Sequence, residues 1–128
     1  MASSTLTTQT TVSVEVVDGL NNILMMTWQQ KVNPADVRRA FETIQAALDA
    51  ASEEMCVVVD LRSNPVFPLT ETMMSALRPY QHDYMAEWLI IGGNRGAKAI
   101  EGFLSRITGR KNVLWFETED EAFAHCSH

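Results

Sequence analysis

The hydrophobic pattern predicts an α/β fold: a mixed, mostly parallel five-stranded sheet with about four helices, in the order β-β-α-β-α-β-α-β-α. Three observations carry this. Strand-sized apolar runs alternate with segments of helical period. One run, Met55-Cys56-Val57-Val58-Val59-Asp60-Leu61, is almost continuously apolar, as in a central strand covered on both faces. Helical segments join the later runs, so those strands are parallel neighbours with right-handed crossovers; only the first two runs are close enough for an antiparallel hairpin.

The 128 residues suit one domain. Residues 1–10 are Ser/Thr-rich and read as a flexible tail, leaving 11–128 as the domain. From Thr11, Val12, Val14 and Val16 alternate with Ser13 and Glu15, a half-buried strand. Asp18-Gly19 signals a turn, and Ile23 to Trp28 forms the second strand. Asn33-Pro34-Ala35-Asp36 supplies an N-cap, a first-turn proline and an acid. The helix that follows runs to about Ala51, with Val37, Ala40, Phe41, Ile44 and Leu48 on one face.

After the Met55–Leu61 strand, a second helix is expected near Thr70, with Thr70 as N-cap and a kink or break at Pro79. Glu87 to Ile91 forms the next strand, stopped by Gly92-Gly93. A third helix follows Asn94, carries Ala97, Ile100, Phe103, Leu104 and Ile107 at helical spacing, and ends at Thr108-Gly109. Asn112 to Phe116 is the last strand, and Thr118-Glu119-Asp120-Glu121 a capping box before a short helix with Ala122, Phe123 and Cys126 inward.

Ten basic and sixteen acidic residues give a net charge of −6. That balance disfavours nucleic acid and anionic membrane surfaces as partners. The apolar runs are strand-sized, so no membrane span is expected, and the start of the chain lacks the basic and apolar pattern of a secretion signal. Cys56 and Cys126 do not amount to a disulfide framework; two reduced thiols and a cytoplasmic setting are expected.

The order of elements, the strand ending Val57-Val58-Val59-Asp60-Leu61, Phe67 six residues beyond it, and the closing Phe116-Glu117-Thr118-Glu119-Asp120-Glu121-Ala122-Phe123 resemble the STAS domain family (sulfate transporter and anti-sigma-factor antagonist), in its stand-alone bacterial branch. The likeness runs from about Val12 to Cys126. It implies a β/α superhelix with strands in sequential order, and protein–protein regulation rather than catalysis. In the anti-sigma antagonists an Asp-Ser-Ser/Thr-Gly motif carries the serine that a partner kinase phosphorylates. Here the matching stretch is Pro68-Leu69-Thr70-Glu71, in which only Thr70 keeps a hydroxyl. Thr70 is thus the candidate phosphoacceptor, placed where a helix start favours phosphate.

Arg62, Val66, Phe67, Leu69, Thr70 and Glu71 form the candidate docking or gating loop, unusually apolar for an exposed connection. Gly92, Gly93, Asn94 and Arg95 are a candidate anion or ligand loop, although their spacing matches no nucleotide fingerprint and ordinary turn chemistry accounts for them. His82-Asp83 suggests no catalytic pair, and Cys126 with His125 and His128 is too small a set for zinc. No catalytic residue, metal or cofactor is assigned. Met25, Met26, Met55, Met73, Met74 and Met85 read as a soft core, or as the lining of an apolar cavity with the second helix as a movable cover hinged at Pro65, Pro68 and Pro79. Lipid-carrying domains of the CRAL-TRIO/SEC14 type are similar in topology. The expected function is a non-enzymatic regulatory module with a protein partner; the alternative is a carrier or sensor of a lipid or other apolar small molecule. Exposed sheet edges would permit a homodimer.

Overall fold

The computed structural model of the chain describes residues 10–17 and 20–126. The Asp18-Gly19 turn, His128 and residues 1–9 of the tail lie outside the described residues. The elements are β1 (Val12–Val17), β2 (Leu20–Trp28), α1 (Pro34–Ala50), β3 (Met55–Asp60), α2 (Leu69–Tyr80), β4 (Met85–Ile91), α3 (Arg95–Thr108), β5 (Val113–Phe116) and α4 (Glu119–Cys126). They form one five-stranded sheet in the order β1-β2-β3-β4-β5. β1 is antiparallel to β2, and the remaining neighbours are parallel. The predicted α/β class and element order are those observed.

Alternation along each strand sorts the side chains onto two faces. Leu24, Met26, Trp28, Val57, Val59, Trp88 and Ile90 pack with α1, α2 and α3. Ile23, Cys56, Val58, Leu89 and Ile91 face the other way, towards Ala122 and Cys126 of α4. Double coverage explains the continuous apolar run of β3: Val57 and Val58, on opposite faces, are both fully buried.

The start of α1 also fixes the sheet edge. Asn33 caps the helix through Oδ1, which accepts from Ala35 N at 2.8 Å. Asp36, in the first turn, reaches back to the start of β1: its Oδ2 accepts from the backbone N of Thr11 at 2.9 Å and from Oγ1 of Thr11 at 2.8 Å. Its Oδ1 accepts from Arg39 at 2.9 Å. The Thr11 backbone bond is the chief reason its carboxyl sits below the usual range, followed by the Thr11 hydroxyl; Arg39 acts in the same direction.

Periodicity overstated burial at two borders. Val16 on β1 is 60% exposed and Ile107 on α3 is 58% exposed. The break expected at Pro79 is observed as the end of α2, one residue later at Tyr80. The capping box of α4 is formed: Thr118 N donates to Glu121 Oε1, and Glu121 N to Thr118 Oγ1.

The expectation for the cysteines is overturned. Cys56 and Cys126 are not two thiols but a disulfide across 70 residues, with Cα atoms 6.4 Å apart. The central strand and the last helix meet on the α4 face, which brings the two side chains together. Closing a loop of this length in the unfolded chain stabilises the native state by about 4 kcal/mol.

Reduction with dithiothreitol should therefore lower the urea midpoint of the native chain, while Cys126→Ala should show a low midpoint that the reductant leaves unchanged. A midpoint indifferent to reductant in both proteins would remove the tether from the account. The Asp36 carboxyl, depressed on folding, contributes stability that is complete above its ordinary value of 3.8 and is lost as pH falls through its lower folded value. Asp36→Asn should be less stable than the native chain at pH 6, and the gap should close as acid unfolding proceeds below about pH 4. Paired denaturation curves at several pH values measure it.

Candidate functional site

The carboxyl ends of the parallel strands gather the loops that could carry function. Asp60 ends β3, level with Thr27 on one side and Ile91 on the other. Two residues on, Arg62 returns over it as a fork: Nε donates to Asp60 Oδ1 at 3.0 Å and Nη2 to Asp60 Oδ2 at 2.7 Å. The same Nη2 donates to Glu119 Oε2 at 2.9 Å, at the start of α4. The side-chain bonds from Arg62 hold the Asp60 carboxyl below its usual range, against its partial burial. In turn, first Asp60 and then Glu119 push the Arg62 guanidinium upward, so it stays charged. Arg62 is half exposed, so the network fixes geometry more than it adds stability.

Beyond Arg62 the loop is stitched down. Ser63 Oγ donates to the Trp28 carbonyl at 2.6 Å. Asn64 takes a left-handed conformation, φ 57°, which asparagine tolerates better than most residues. The Val66 N–H donates to the Gln30 carbonyl at 3.1 Å. Asn94 closes the arrangement from the neighbouring loop. Its Nδ2 donates to Asn64 Oδ1 at 2.9 Å and to the Pro65 carbonyl at 3.1 Å, while its Oδ1 caps α3 by accepting from Ala97 N at 2.9 Å.

This frame divides the candidate docking residues. Val66 is 74% exposed and Leu69 is 43% exposed. Between them Phe67 turns inward, its ring 4.9 Å from that of Trp28, and it packs so close to Gly96 that a Cβ there would come within 2.7 Å of Phe67 Cδ2. Glu71 accepts from Ser75 Oγ at 2.7 Å and meets Arg38 at 3.5 Å. Thr70 is exposed, but it is not the N-cap. The helix starts one residue earlier, at Leu69, with Pro68 in the cap position and no side-chain cap. The hydroxyl that engages Pro68 belongs to Thr72, whose Oγ1 donates to the Pro68 carbonyl at 2.9 Å.

The candidate anion loop does turn and cap chemistry. Gly92 has φ 72° and its N–H donates to the Phe116 carbonyl at 3.2 Å. Gly93 lies against Trp115, where any side chain would collide with the ring. Asn94 is occupied as described, and Arg95 is exposed with no charged partner among the described residues. His82 pairs with Asp49 rather than Asp83, at 3.0 Å through Nε2, while its Nδ1 accepts from Tyr84 N. Among the described residues no group of three His, Cys, Asp or Glu could hold a metal.

A cavity of about 70 Å³ lies between the sheet and the three-helix layer. Its walls include Trp28, Phe41, Phe67, Tyr80, Trp88 and Trp115. Of the six methionines considered above, only Met26 lines it, and Met74 is 61% exposed. The cavity is therefore aromatic rather than methionine-rich. The rings form a chain of contacts: Phe67 to Trp28 at 4.9 Å, Trp28 to Phe41 at 6.3 Å, Phe41 to Trp88 at 6.1 Å and Trp88 to Tyr80 at 6.3 Å. Strand parity was the available signal, since Trp28, Trp88 and Trp115 all fall on the α1–α3 side of their strands. No protein-family model matches the chain, and no curated protein matches it.

Asn94→Ala removes both the α3 cap and the tie to the 62–68 loop. It should cost about 2 kcal/mol, roughly half from the cap and half from the lost loop bonds, and speed proteolysis within the loop. Urea denaturation and timed digestion read the two effects separately.

Proposed function

We propose that the chain is a non-enzymatic regulatory module of STAS type that docks a protein partner through the 62–71 loop and the first turn of α2. The observation that carries this reading is a rigidly held loop presenting apolar side chains outward: Val66 and Leu69 are exposed while Phe67, between them, anchors the backbone from inside. Apolar groups held in water by a fixed frame favour association with a complementary surface. The sequential strand order is the one the family resemblance implies, which supports the same reading.

Phosphorylation of Thr70 remains part of the proposal. As the second residue of α2, in a helix start without a side-chain cap, a phosphate would meet free backbone N–H groups. Glu71 is drawn towards Arg38 and Ser75, which lessens its repulsion of such a group. A cytoplasmic setting also belongs to this reading, and there the Cys56–Cys126 bond would be exposed to cellular reductants. No helix among the described residues is long and apolar enough to cross a membrane. Self-association through the β1 edge is a further element of the proposal.

The aromatic cavity favours a second reading, a carrier or sensor of an apolar small molecule. In the docking reading, Val66→Asp with Leu69→Asp should abolish capture of a partner from the native host without changing the melting temperature. Phe67→Ala should lower the melting temperature by several degrees. Capture that survives the double aspartate variant would refute docking at this loop.

A further inference from the structure

The two faces of the sheet depend on α4 to different degrees. Among the described residues, the larger core, between the sheet and α1, α2 and α3, contains none from α4. The smaller core joins Ile23, Cys56, Val58, Leu89 and Ile91 to Ala122 and Cys126 of α4, with the Phe123 ring partly buried against it. α4 packs on β3, β4 and β5. Its buried anchors are one methyl group and one sulfur, four residues apart on one side of the helix. Eight residues are too few for a helix to persist in water without packing, so α4 stays helical only while it is docked. The non-covalent ties at its two ends lie at the surface. Glu119 meets Arg62 at 2.9 Å and His125 meets Glu87 at 2.8 Å, and every one of these side chains is more than a third exposed. Exposed pairs of this kind hold little.

We propose that the Cys56–Cys126 bond is a redox-operated latch. With the bond closed, α4 seals the second face. Reduction by a dithiol lets α4 undock and unwind as a local event, opening Val58, Leu89 and Ile91 to solvent while the sheet and its three-helix layer stay folded. Two terms oppose each other in the reduced chain: apolar surface enters water, and eight ordered residues regain their freedom. The closed bond denies the second term, because it pins the end of the helix to β3. The chemistry is thiol–disulfide exchange. A thiolate of the dithiol attacks Cys126 Sγ, on the outer element; the S–S bond breaks, and Cys56 leaves as a thiolate and takes a proton. The second thiol of the reductant then closes its own disulfide and releases Cys126 as a thiol, so the protein gains the two electrons that the dithiol loses. The corner of the 62–71 loop survives the opening, because Arg62 keeps both side-chain bonds to Asp60 when Glu119 departs. The latch is thus independent of what that loop docks.

The test compares the intact chain, oxidised and after reduction with dithiothreitol, without denaturant. In ¹H–¹⁵N spectra, reduction should move the amide resonances of residues 119–126 to random-coil positions, while those of β2, β3 and β4 stay dispersed. Iodoacetamide should then alkylate Cys56 about tenfold or more faster than the sheet unfolds globally. Cys126→Ala should give the same open spectrum and the same reactive Cys56 with no reductant added. If residues 119–126 keep their docked resonances after reduction, the bond merely staples a helix that its own contacts hold, and the latch is refuted. If reduction instead collapses resonances throughout the sheet, the opening is global, and the latch is refuted as well.

Discussion

The sheet order never reverses, and the architecture follows from that constraint. With parallel neighbours from β2 to β5 and crossovers of one hand, α1, α2 and α3 must all lie on the same face. The opposite face of β3 and β4 is equally apolar, through Cys56, Val58, Leu89 and Ile91, and among the described elements α4 is the helix that covers it. A helix of eight residues is a small cover for a five-stranded sheet. The uneven covering accounts for the differing treatment of the two faces: a continuous aromatic layer on one side, and a tethered helix on the other.

On the three-helix face, the rings of Trp28, Phe41, Trp88 and Tyr80 meet mostly edge to face. Edge-to-face rings have good electrostatics, and a cavity remains among them. Phe67 links that cavity to the surface loop, since it packs on Trp28 while its neighbour Val66 faces water. Ser63 reinforces the link by bonding the carbonyl of the same tryptophan. The outward loop and the inward cavity are thus two sides of one wall. An occupant that displaced the Phe67 ring would be felt at Val66 and Leu69, so regulation by docking and sensing of a small molecule are compatible uses of this wall.

Much of the fold was legible because local signals agreed with the tertiary demand. Asn33-Pro34 starts α1, Asn94 caps α3, Gly109 ends it with φ 75°, and Thr118 with Glu121 forms the expected box. Where local signals competed, the reading slipped. Thr70 is a good N-cap by residue type, but the helix starts at Leu69, with Pro68 in the cap position and its carbonyl accepting from both the N–H and the Oγ1 of Thr72. The site was less legible than the fold. Periodicity tells which face Trp28 or Trp88 occupies, but not that rings from five elements and the 62–68 loop converge or leave a space. The pairing of Cys56 with Cys126 was hidden for the same reason, since it depends on α4 crossing to the face that α1, α2 and α3 leave open.

The two fasteners of α4 show how that crossing is fixed. Cys126, at its end, bonds to Cys56 near the start of β3, and Glu119, at its beginning, reaches Asp60 at the end of β3 through Arg62. The helix between Glu119 and Cys126 rises about 10 Å, and the strand from Cys56 to Asp60 extends about 13 Å. The lengths match closely enough for the helix to lie along the strand in the opposite sense, held at both ends by one element. The fasteners differ in kind. The disulfide is covalent and largely buried; the Arg62 bridge is half exposed and weak by itself. Breaking the bridge leaves α4 tethered, whereas opening the disulfide leaves it held by Ala122, the Arg62 bridge and the contact of His125 with Glu87. Arg62 therefore belongs to both halves of the molecule: it closes the corner from which the docking loop departs, and it anchors the helix that seals the other face.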